Sequence, residues 1–401
     1  MQYFSTADHA FVREMNLSIV LRMIHTEAPL SRAQLAVKTG LNKSTVSSLV
    51  EELLDRKLIH ETGINSTGTG RPAMLLEINP QAGVIIGVEL GVDFIAVALS
   101  DFIGKFLWRK NVPADPAASQ ENTLSQVLEL IQDAVLFCND KGYRIFGLSF
   151  AVPGTVDLND GLLIFAPNLN WHNIPVRRIF SERTGLKVFI ENDANAAAMA
   201  EHLFGAAQNL KDFIFVFAGV GLGGGLFLNG QLYRGKGGYA GEIGHTSIMA
   251  EPFQLPCHCG NLGCWERYSN QESILRRMRS HSEDTQDGPL SLLAVKQAAD
   301  NGDRNAIVSI EEAGTAMGIG LAGLVNIFNP EKIIIGGPLS ITGEYLLPSI
   351  QHGMEKYAMA EIAVQTEITL SEFGPDASLL GAAAIVVDEI LASPAHIERR
   401  W

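Results

Sequence analysis

The stretch that decides the fold of this chain lies between residues 235 and 266. It reads Gly235-Lys-Gly-Gly-Tyr-Ala-Gly-Glu-Ile-Gly-His245, then Cys257-His-Cys-Gly-Asn-Leu-Gly-Cys-Trp-Glu266. Three of the four cysteines fall inside eight residues of it. Thiolates and an imidazole at this spacing suit one closed tetrahedral zinc site, and a closed site holds loops in place. We therefore predict a structural zinc with the ligands His245, Cys257, Cys259 and Cys264. An unrelated zinc knuckle and buried thiols without a metal are the alternatives.

Two carboxylates in this stretch, Glu242 and Glu266, are not needed by a zinc ion, which indicates that the metal shapes the wall of a polar pocket. The arrangement resembles the ROK family, named for "repressor, open reading frame, kinase". The resemblance rests on Glu242-Ile-Gly-His245 and on the Cys-x-Cys-Gly-x-x-Gly-Cys-x-Glu run that ends at Glu266. It extends over residues 82–401 and implies a two-lobed actin/ribonuclease-H-like sugar-kinase fold with the ligand in the cleft between the lobes.

The composition fits a soluble protein of several domains. At 401 residues the chain exceeds one ordinary core and should form two or three domains. It is 47% hydrophobic and 18% charged, which excludes a disordered chain. Few, clustered cysteines favour a metal site in a reducing cytoplasm over disulfides. The apolar stretch 213–228 is short and rich in glycine, so we predict a strand, a turn and a strand there, and no membrane partner.

The charge is unevenly distributed along the chain. The net charge is −14, yet residues 1–80 contain eight basic and eight acidic residues. Residues 81–401 contain 22 basic and 36 acidic residues and account for the whole excess. Because an acidic body repels nucleic acid, any DNA binding must be confined to the head.

The head, residues 1–80, has the pattern of a winged helix-turn-helix. Apolar residues at Leu17, Val20, Leu21 and Ile24 predict an amphipathic helix. A Ser31-x-x-Gln34 capping box opens a second helix, which stops at Gly40. Asn42 caps a third helix that runs to about Asp55. Two strands with a turn at residues 66–72 then predict a wing.

The third helix would enter the major groove of DNA by its N-terminal end. Its hydroxyl and ammonium groups suit phosphates and base edges, so we predict DNA contacts from Lys43, Ser44, Thr45 and Ser47. Arg71 in the wing is predicted to reach a narrow minor groove. The alternatives are a small helical packing domain for the head and a plain interdomain turn around Arg71.

The remainder of the chain predicts an α/β body, because strand patterns alternate with helical ones. We place the first lobe at residues 81–197 and the second lobe, with the zinc site, at residues 198–377. A C-terminal helix at about residues 378–401 is predicted to pack back on the first lobe.

Two loops depart from the kinases of the family. Their Asp-x-Gly-x-Thr phosphate loop corresponds here to Glu89-Leu-Gly-Val-Asp93, and their Gly-Thr-Gly-Ile-Gly-Gly-Gly loop to Gly219-Val-Gly-Leu-Gly-Gly-Gly225. Asp93 replaces a hydroxyl by a carboxylate that repels phosphate, and Val220 removes a second hydroxyl. We therefore expect little or no binding of ATP.

The segments that bind the sugar in the family are retained in this sequence. Pro167-Asn168-Leu169 with Trp171, and Glu191-Asn192-Asp193, resemble the sugar-binding segments of the family. Asp193 stands where the kinases have their general base, but it can equally bind a sugar hydroxyl without catalysis. The resemblance thus predicts a sugar site formed by Asn168, Asn192, Asp193, Glu242, His245 and Glu266.

Together these features predict a cytoplasmic, sugar-responsive transcriptional regulator, a repressor whose effector is a xylose-like or other aldose. It would bind a two-fold symmetric operator as a homodimer or a dimer of dimers. The main alternative is an ATP-dependent sugar kinase that carries a DNA-binding head. A third is a scaffold that binds a protein through its acidic body.

Overall fold

A computed structural model describes residues 9–65, 73–115, 118–281 and 290–396. The head forms three helices and a small sheet, in the order α1 (His9–Glu27), β1 (Leu30–Ser31), α2 (Arg32–Thr39), α3 (Lys43–Asp55), β2 (Ile59–Asn65) and β3 (Ala73–Ile78). The strands are antiparallel in the order β1-β3-β2. The tip of the wing, including Arg71, lies outside the described residues.

Local hydrogen bonds set the boundaries of the two helices of the helix-turn-helix. The Gln34 amide N–H donates to Ser31 Oγ, and the Ser31 N–H donates to Gln34 Oε1. Gly40 ends α2 with φ at 72°, a conformation that glycine adopts without strain. The Thr45 N–H donates to Asn42 Oδ1 over 2.7 Å, which starts α3. The capping box of Ser31 and Gln34, the end of α2 at Gly40 and the cap at Asn42 were each predicted from the sequence.

The first lobe is built on a five-stranded sheet with the order β11-β7-β4-β5-β6. Strands β11, β7 and β4 are parallel, whereas β5 and β6 are antiparallel to their neighbours. A smaller sheet, β10-β9-β8, packs beside it. The elements are β4 (Val84–Leu90), β5 (Phe94–Ser100), β6 (Phe106–Pro113), α4 (Gln120–Lys141), β7 (Ile145–Val152), β8 (Thr155–Asp157), β9 (Leu162–Ala166), β10 (Trp171–Ile174), α5 (Val176–Thr184) and β11 (Val188–Asn192).

The second lobe repeats this topology in the sheet β16-β15-β12-β13-β14, with the same sequence of two parallel and two antiparallel pairings. This duplication is the arrangement expected of the actin-like fold. The elements are α6 (Asp193–Phe204), β12 (Phe213–Ala218), β13 (Leu222–Leu228), β14 (Gln231–Leu232), α7 (Glu266–Ser269), α8 (Gln271–His281), α9 (Leu292–Asp300), α10 (Arg304–Phe328), β15 (Lys332–Gly336), α11 (Gly343–Tyr357), α12 (Ala360–Ala363) and β16 (Glu367–Leu370). The C-terminal helix α13 (Ala377–Ala392) follows them in the chain and packs on strands β4 and β7 of the first lobe.

Helix α10 is, in the described part of the chain, the helix that is long and apolar enough to cross a membrane. Half of its apolar stretch is buried inside the protein. Ala313, Met317 and Leu321 are among the residues it contributes to the core of the second lobe. Its composition is therefore that of a core helix.

Helices α6 and α13 pack against each other between the two sheets. Alanine makes up much of α6, and its neighbours carry glycine where the backbones approach. A Cβ on Gly225 would lie 2.5 Å from the Cβ of Ala198, and one on Gly381 would overlap the carbonyl group of Ala196. Real Cβ atoms do not approach so closely, so α6 is enclosed on both sides by backbone.

The head sits on the C-terminal ends of these two helices. Ser18 Oγ donates to the Leu391 carbonyl over 2.7 Å, and Arg22 forms an ion pair with Asp388 at 2.9 Å. The His25 ring lies 6.3 Å from the ring of Phe204, the last residue of α6. Burial lowers the pKa of His25 to about 4, so this contact is uncharged at neutral pH. One buried cluster runs from the head through α6 and α13.

Candidate functional site

A cavity of about 270 Å³ lies between the lobes, at the N-terminal end of α6. The β4–β5 hairpin, the β12–β13 turn and the segment that leads to His245 form its walls. The six residues predicted to bind a sugar all line it, namely Asn168, Asn192, Asp193, Glu242, His245 and Glu266. No lysine or arginine is among the described residues that line this cavity. The site therefore offers hydrogen-bond acceptors to a polyhydroxylated ligand and no charge partner to an anion.

Asn192 uses its amide to hold the protein backbone. Its Oδ1 accepts hydrogen bonds from the N–H groups of Ala194 at 3.0 Å and Asn195 at 3.1 Å, and its Nδ2 donates to the Gly154 carbonyl. Asn192 thus caps α6 and ties it to the loop after β7. Its side chain also lines the cavity, and one Nδ2 hydrogen has no role in these contacts, so the predicted contact with a sugar stays a prediction.

Two carboxyl groups that line the cavity, those of Asp193 and Glu89, have raised pKa values. Burial raises the pKa of Asp193 to about 7, and the charge of Glu242 acts in the same direction. Burial raises the pKa of Glu89 to about 8, with a further contribution from the charge of Asp193. Glu89 is only 4% exposed. Glu89 belongs to the altered phosphate loop and was not predicted to be a site residue, although a carboxyl group inside an apolar strand is a sign of a functional site.

We expect the free energy of unfolding of the wild-type protein to fall, relative to that of Asp193→Asn, as the pH rises from about 5 to about 8. The pKa of Asp193 in the folded protein lies above its ordinary value of 3.8, so the folded state holds its proton more tightly. That stabilisation is complete below about pH 4 and is lost as the pH rises through about 7. Urea titrations of both proteins across this range measure the difference, and a difference independent of pH would contradict the expectation.

Glu191, which belongs to the predicted sugar-binding segment Glu191-Asn192-Asp193, is a positioning residue. It is 1% exposed and forms an ion pair with Arg234 at 2.8 Å. Its Oε1 also accepts hydrogen bonds from the Asn192 N–H and from Asn195 Nδ2, at 3.1 and 3.2 Å. These contacts fasten the start of α6 to the segment that carries Glu242. Glu191 and Arg234 are 43 positions apart in the sequence, so no local pattern predicts that they form an ion pair.

The four predicted metal ligands converge on one point. His245, Cys257, Cys259 and Cys264 place ligand atoms within 4.8 Å of one another. The Sγ atoms of Cys259 and Cys264 are 3.7 Å apart, and His245 Nδ1 is 3.7 Å from the Sγ of Cys257. Zinc–sulfur bonds of about 2.3 Å in a tetrahedron put two sulfur atoms about 3.8 Å apart, so the cluster fits a zinc-sized ion.

The metal cluster and the cavity share a wall. Glu266 Oε1 lies 3.0 Å from the Sγ of Cys257, and its other oxygen faces the β12–β13 turn, 3.6 Å from where a Cβ on Gly221 would lie. The second nitrogen of His245, Nε2, lies 3.8 Å from Glu242 Oε2. An ion in the cluster would fix the His245 ring, and with it the position of these carboxylates.

The predicted DNA-contacting residues lie at the N-terminal end of α3, on the surface of the head. Lys43 and Ser44 are exposed, whereas Thr45 and Ser47 are half-buried. Ser44 Oγ donates to Asn42 Oδ1 over 2.7 Å, so this hydroxyl takes part in the cap. The free backbone N–H groups at this helix end suit a phosphate. Arg71, the fifth predicted contact, lies outside the described residues.

The duplicated lobes, the cleft between them and the helix-turn-helix head define a sugar-kinase-like scaffold joined to a DNA-binding module. The ROK family profile matches residues 85–389, and the MarR family profile matches residues 18–65. The chain belongs to the ROK family. The predicted fold class, a winged helix-turn-helix followed by a two-lobed α/β body, is thereby confirmed.

Similar proteins include both regulators and kinases. The chain is 33% identical over 398 residues to a xylose repressor of Caldicellulosiruptor bescii, covering 97% of this chain and 99% of that protein. A solved ROK family transcriptional regulator, described as a homologue of the Escherichia coli Mlc protein, superposes with a TM-score of 0.80 at 28% identity, over 95% of this chain and 97% of that one. A ROK family glucokinase from Streptomyces griseus, solved with glucose and AMPPNP, gives a TM-score of 0.66 at 30% identity and covers 76% of this chain and 99% of its own.

Proposed function

We propose that this protein is a sugar-responsive DNA-binding repressor. The observation that carries the proposal is that one chain joins a helix-turn-helix head to a cavity lined by carboxylates, with α6 in contact with both. The similarity to a xylose repressor over nearly the whole of both chains supports it, as does the superposition with a regulator that retains the head.

The effector that suits the cavity is an uncharged sugar. Asp193, Glu242 and Glu266 accept hydrogen bonds from hydroxyl groups, and Asn168 adds an amide. A phosphorylated sugar would meet like charge without a compensating cation. Xylose is the first candidate because of the repressor relative, and other aldoses present similar hydroxyl groups.

Zinc is the metal that we propose for the His245 cluster. Three thiolates and an imidazole form a closed donor set without an open coordination position, which is typical of structural zinc. Its role would be to fix the loops that carry Glu242 and Glu266. The residues His245, Cys257, Cys259 and Cys264 would hold it, and no chemical step requires it.

The protein would act as a dimer or a dimer of dimers in the cytoplasm. Two heads related by two-fold symmetry match a symmetric operator whose half-sites lie on one face of the duplex. Sugar in the cleft would favour one arrangement of the lobes. Because the head rests on the ends of α6 and α13, that arrangement would change the placement of the heads.

The test uses the full-length protein and a duplex that it selects from a random pool. Fluorescence anisotropy should give a Kd for this duplex that one of xylose, glucose and N-acetylglucosamine changes about 5- to 150-fold. Lys43→Ala should weaken binding and reduce the salt dependence by about one counterion, because a phosphate contact is lost. Lys356→Ala, an exposed lysine on the second lobe, is the matched control. If no duplex is selected, or if neither these three sugars nor disaccharides of xylose and glucose change the affinity, the proposal fails.

A second candidate, an ATP-dependent sugar kinase, is favoured by Asp193, whose pKa of about 7 suits a general base. The superposition with a glucokinase supports the same scaffold. Asp93 and Val220 oppose it, because both replace groups that would bind phosphate. Incubation with ATP, magnesium and each sugar tests it: sugar phosphate formed by the wild-type protein but not by Asp193→Asn would favour the kinase.

A further inference from the structure

The cavity between the lobes is larger than its predicted sugar site and has two halves of different chemistry. The polar half carries the carboxylates and His245 described above. The other half, called here the apolar half, contributes four apolar side chains to the lining, Phe94, Phe217, Val220 and Pro338. Its polar side chains are those of Asp93 and Gln271.

The two halves meet at the β12–β13 turn. A Cβ on Gly219 would lie 3.1 Å from Pro338 and 3.7 Å from the ring of Phe217, so this side of the turn faces the apolar half. Two residues later, a Cβ on Gly221 would lie 3.7 Å from Asn168 Nδ2, in the polar half. A ligand held in one half therefore lies next to the other.

The turn itself is held in place by hydrogen bonds. The Gly219 N–H donates to the Gly221 carbonyl over 3.0 Å, and the Gln271 N–H donates to the Gly219 carbonyl over 2.8 Å. Asn270 Nδ2 donates to the Val220 carbonyl over 2.7 Å. The boundary between the halves is thus preformed and does not depend on a bound phosphate.

The surface of the apolar half suits a ring and not a phosphate chain. The ring of Phe94 lies directly on the backbone of Gly91, since a Cβ there would overlap it. Phe94, Phe217 and Pro338 are each half-buried and keep part of their surface toward the cavity. Aromatic faces with a few polar groups are typical of sites for neutral organic ligands. The carboxylate of Asp93 can accept hydrogen bonds from hydroxyl groups, and its negative charge repels phosphate.

The cavity continues past the predicted sugar site along the β12–β13 turn, because Gly219 on one side of the turn and Gly221 on the other both line it. A ligand of one ring would occupy the polar half alone, whereas a ligand of two rings would occupy both halves.

We propose that the apolar half is a second binding subsite and that the effector is a neutral disaccharide. One ring binds the carboxylates of the polar half, and the second ring packs against Phe94, Phe217 and Pro338. This inference rests on the proposed function, because it assigns the occupant of the same cavity.

Isothermal titration of the full-length protein with xylose, xylobiose, glucose and cellobiose tests the subsite. One disaccharide should bind about tenfold or more tightly than its monosaccharide, because the second ring buries further apolar surface. Phe94→Ala should reduce this ratio to about one and change the Kd of the monosaccharide less than about twofold. Val220→Phe, which fills the apolar half, should exclude the disaccharide only. Val220→Thr keeps the shape of the side chain and is the matched control.

The outcomes separate the two proposals. If a monosaccharide binds and changes the affinity for DNA, but neither disaccharide binds more tightly, the second subsite is wrong and the proposed function stands. If no sugar of either size binds, the proposed function fails, and this inference fails with it. Binding of ATP–magnesium that Val220→Phe abolishes would assign the apolar half to a nucleotide and overturn the subsite.

Discussion

Gly381→Val should lower the free energy of unfolding by about 3 kcal/mol or more, and the variant should lose sugar binding together with its fold. Residue 381 lies where α13 meets the backbone of α6, and any Cβ there overlaps the carbonyl group of Ala196. The carbonyl carbon and oxygen of Ala196 are backbone atoms that cannot rotate away, so the two helices must separate. The urea midpoint of the purified variant measures the loss.

Gly323→Ala is the matched control for this substitution. Gly323 lies on the exposed side of α10, and a Cβ there meets nothing within 4 Å. Alanine is a better helix former than glycine, so this variant should gain about 0.5–1 kcal/mol. A Gly381 variant that matched it in stability would show that α6 and α13 are not packed as closely as described.

Cys264→Ser should remove the bound metal and weaken sugar binding by about 10- to 100-fold. Cys264 is fully buried and is one of four converging ligands. Without the metal, the ring of His245 and the carboxylate of Glu266 lose their common support. Metal content by mass spectrometry and sugar affinity by calorimetry, on the same preparation, measure the two effects.

Cys138→Ser controls for the loss of a buried thiol. Cys138 is also fully buried, but it lies on α4 in the first lobe, within a cluster of apolar side chains. Its replacement should lower stability and leave the metal content unchanged. A Cys264 variant that lost its metal and kept its sugar affinity would separate the metal cluster from the shape of the cavity.

Much of the fold could be predicted because its signals are local. Ser31, Gly40 and Asn42 fix helix ends through hydrogen bonds within a few residues, and these appear directly in the sequence. The apolar run at residues 213–228 was correctly interpreted as a strand, a turn and a strand. The third helix of the head was predicted to run to about Asp55, and α3 ends at that residue.

The contacts that complete the site are distant in the sequence and could not be predicted in this way. The ion pair of Glu191 with Arg234 and the contact of His25 with Phe204 join residues far apart in the chain. Asn192 was predicted to bind the sugar because it stands in the family segment. Asn192 lines the cavity, and its amide also caps α6 and binds the Gly154 carbonyl, a positioning role that the sequence pattern did not show.

The confinement of α6 has a consequence for how the proposed repressor would respond in a cell. This helix spans about 18 Å from Asp193 in the cavity to Phe204 beneath the head, and backbone encloses it on both sides. A shift at one end must therefore appear at the other, and linkage makes the effect mutual. A copy seated on its operator would hold the effector less tightly than a free copy, by the same factor by which the effector loosens the operator. The sugar concentration that releases a gene would then be set by the strength of that gene's own operator, so one protein could switch different genes at different thresholds.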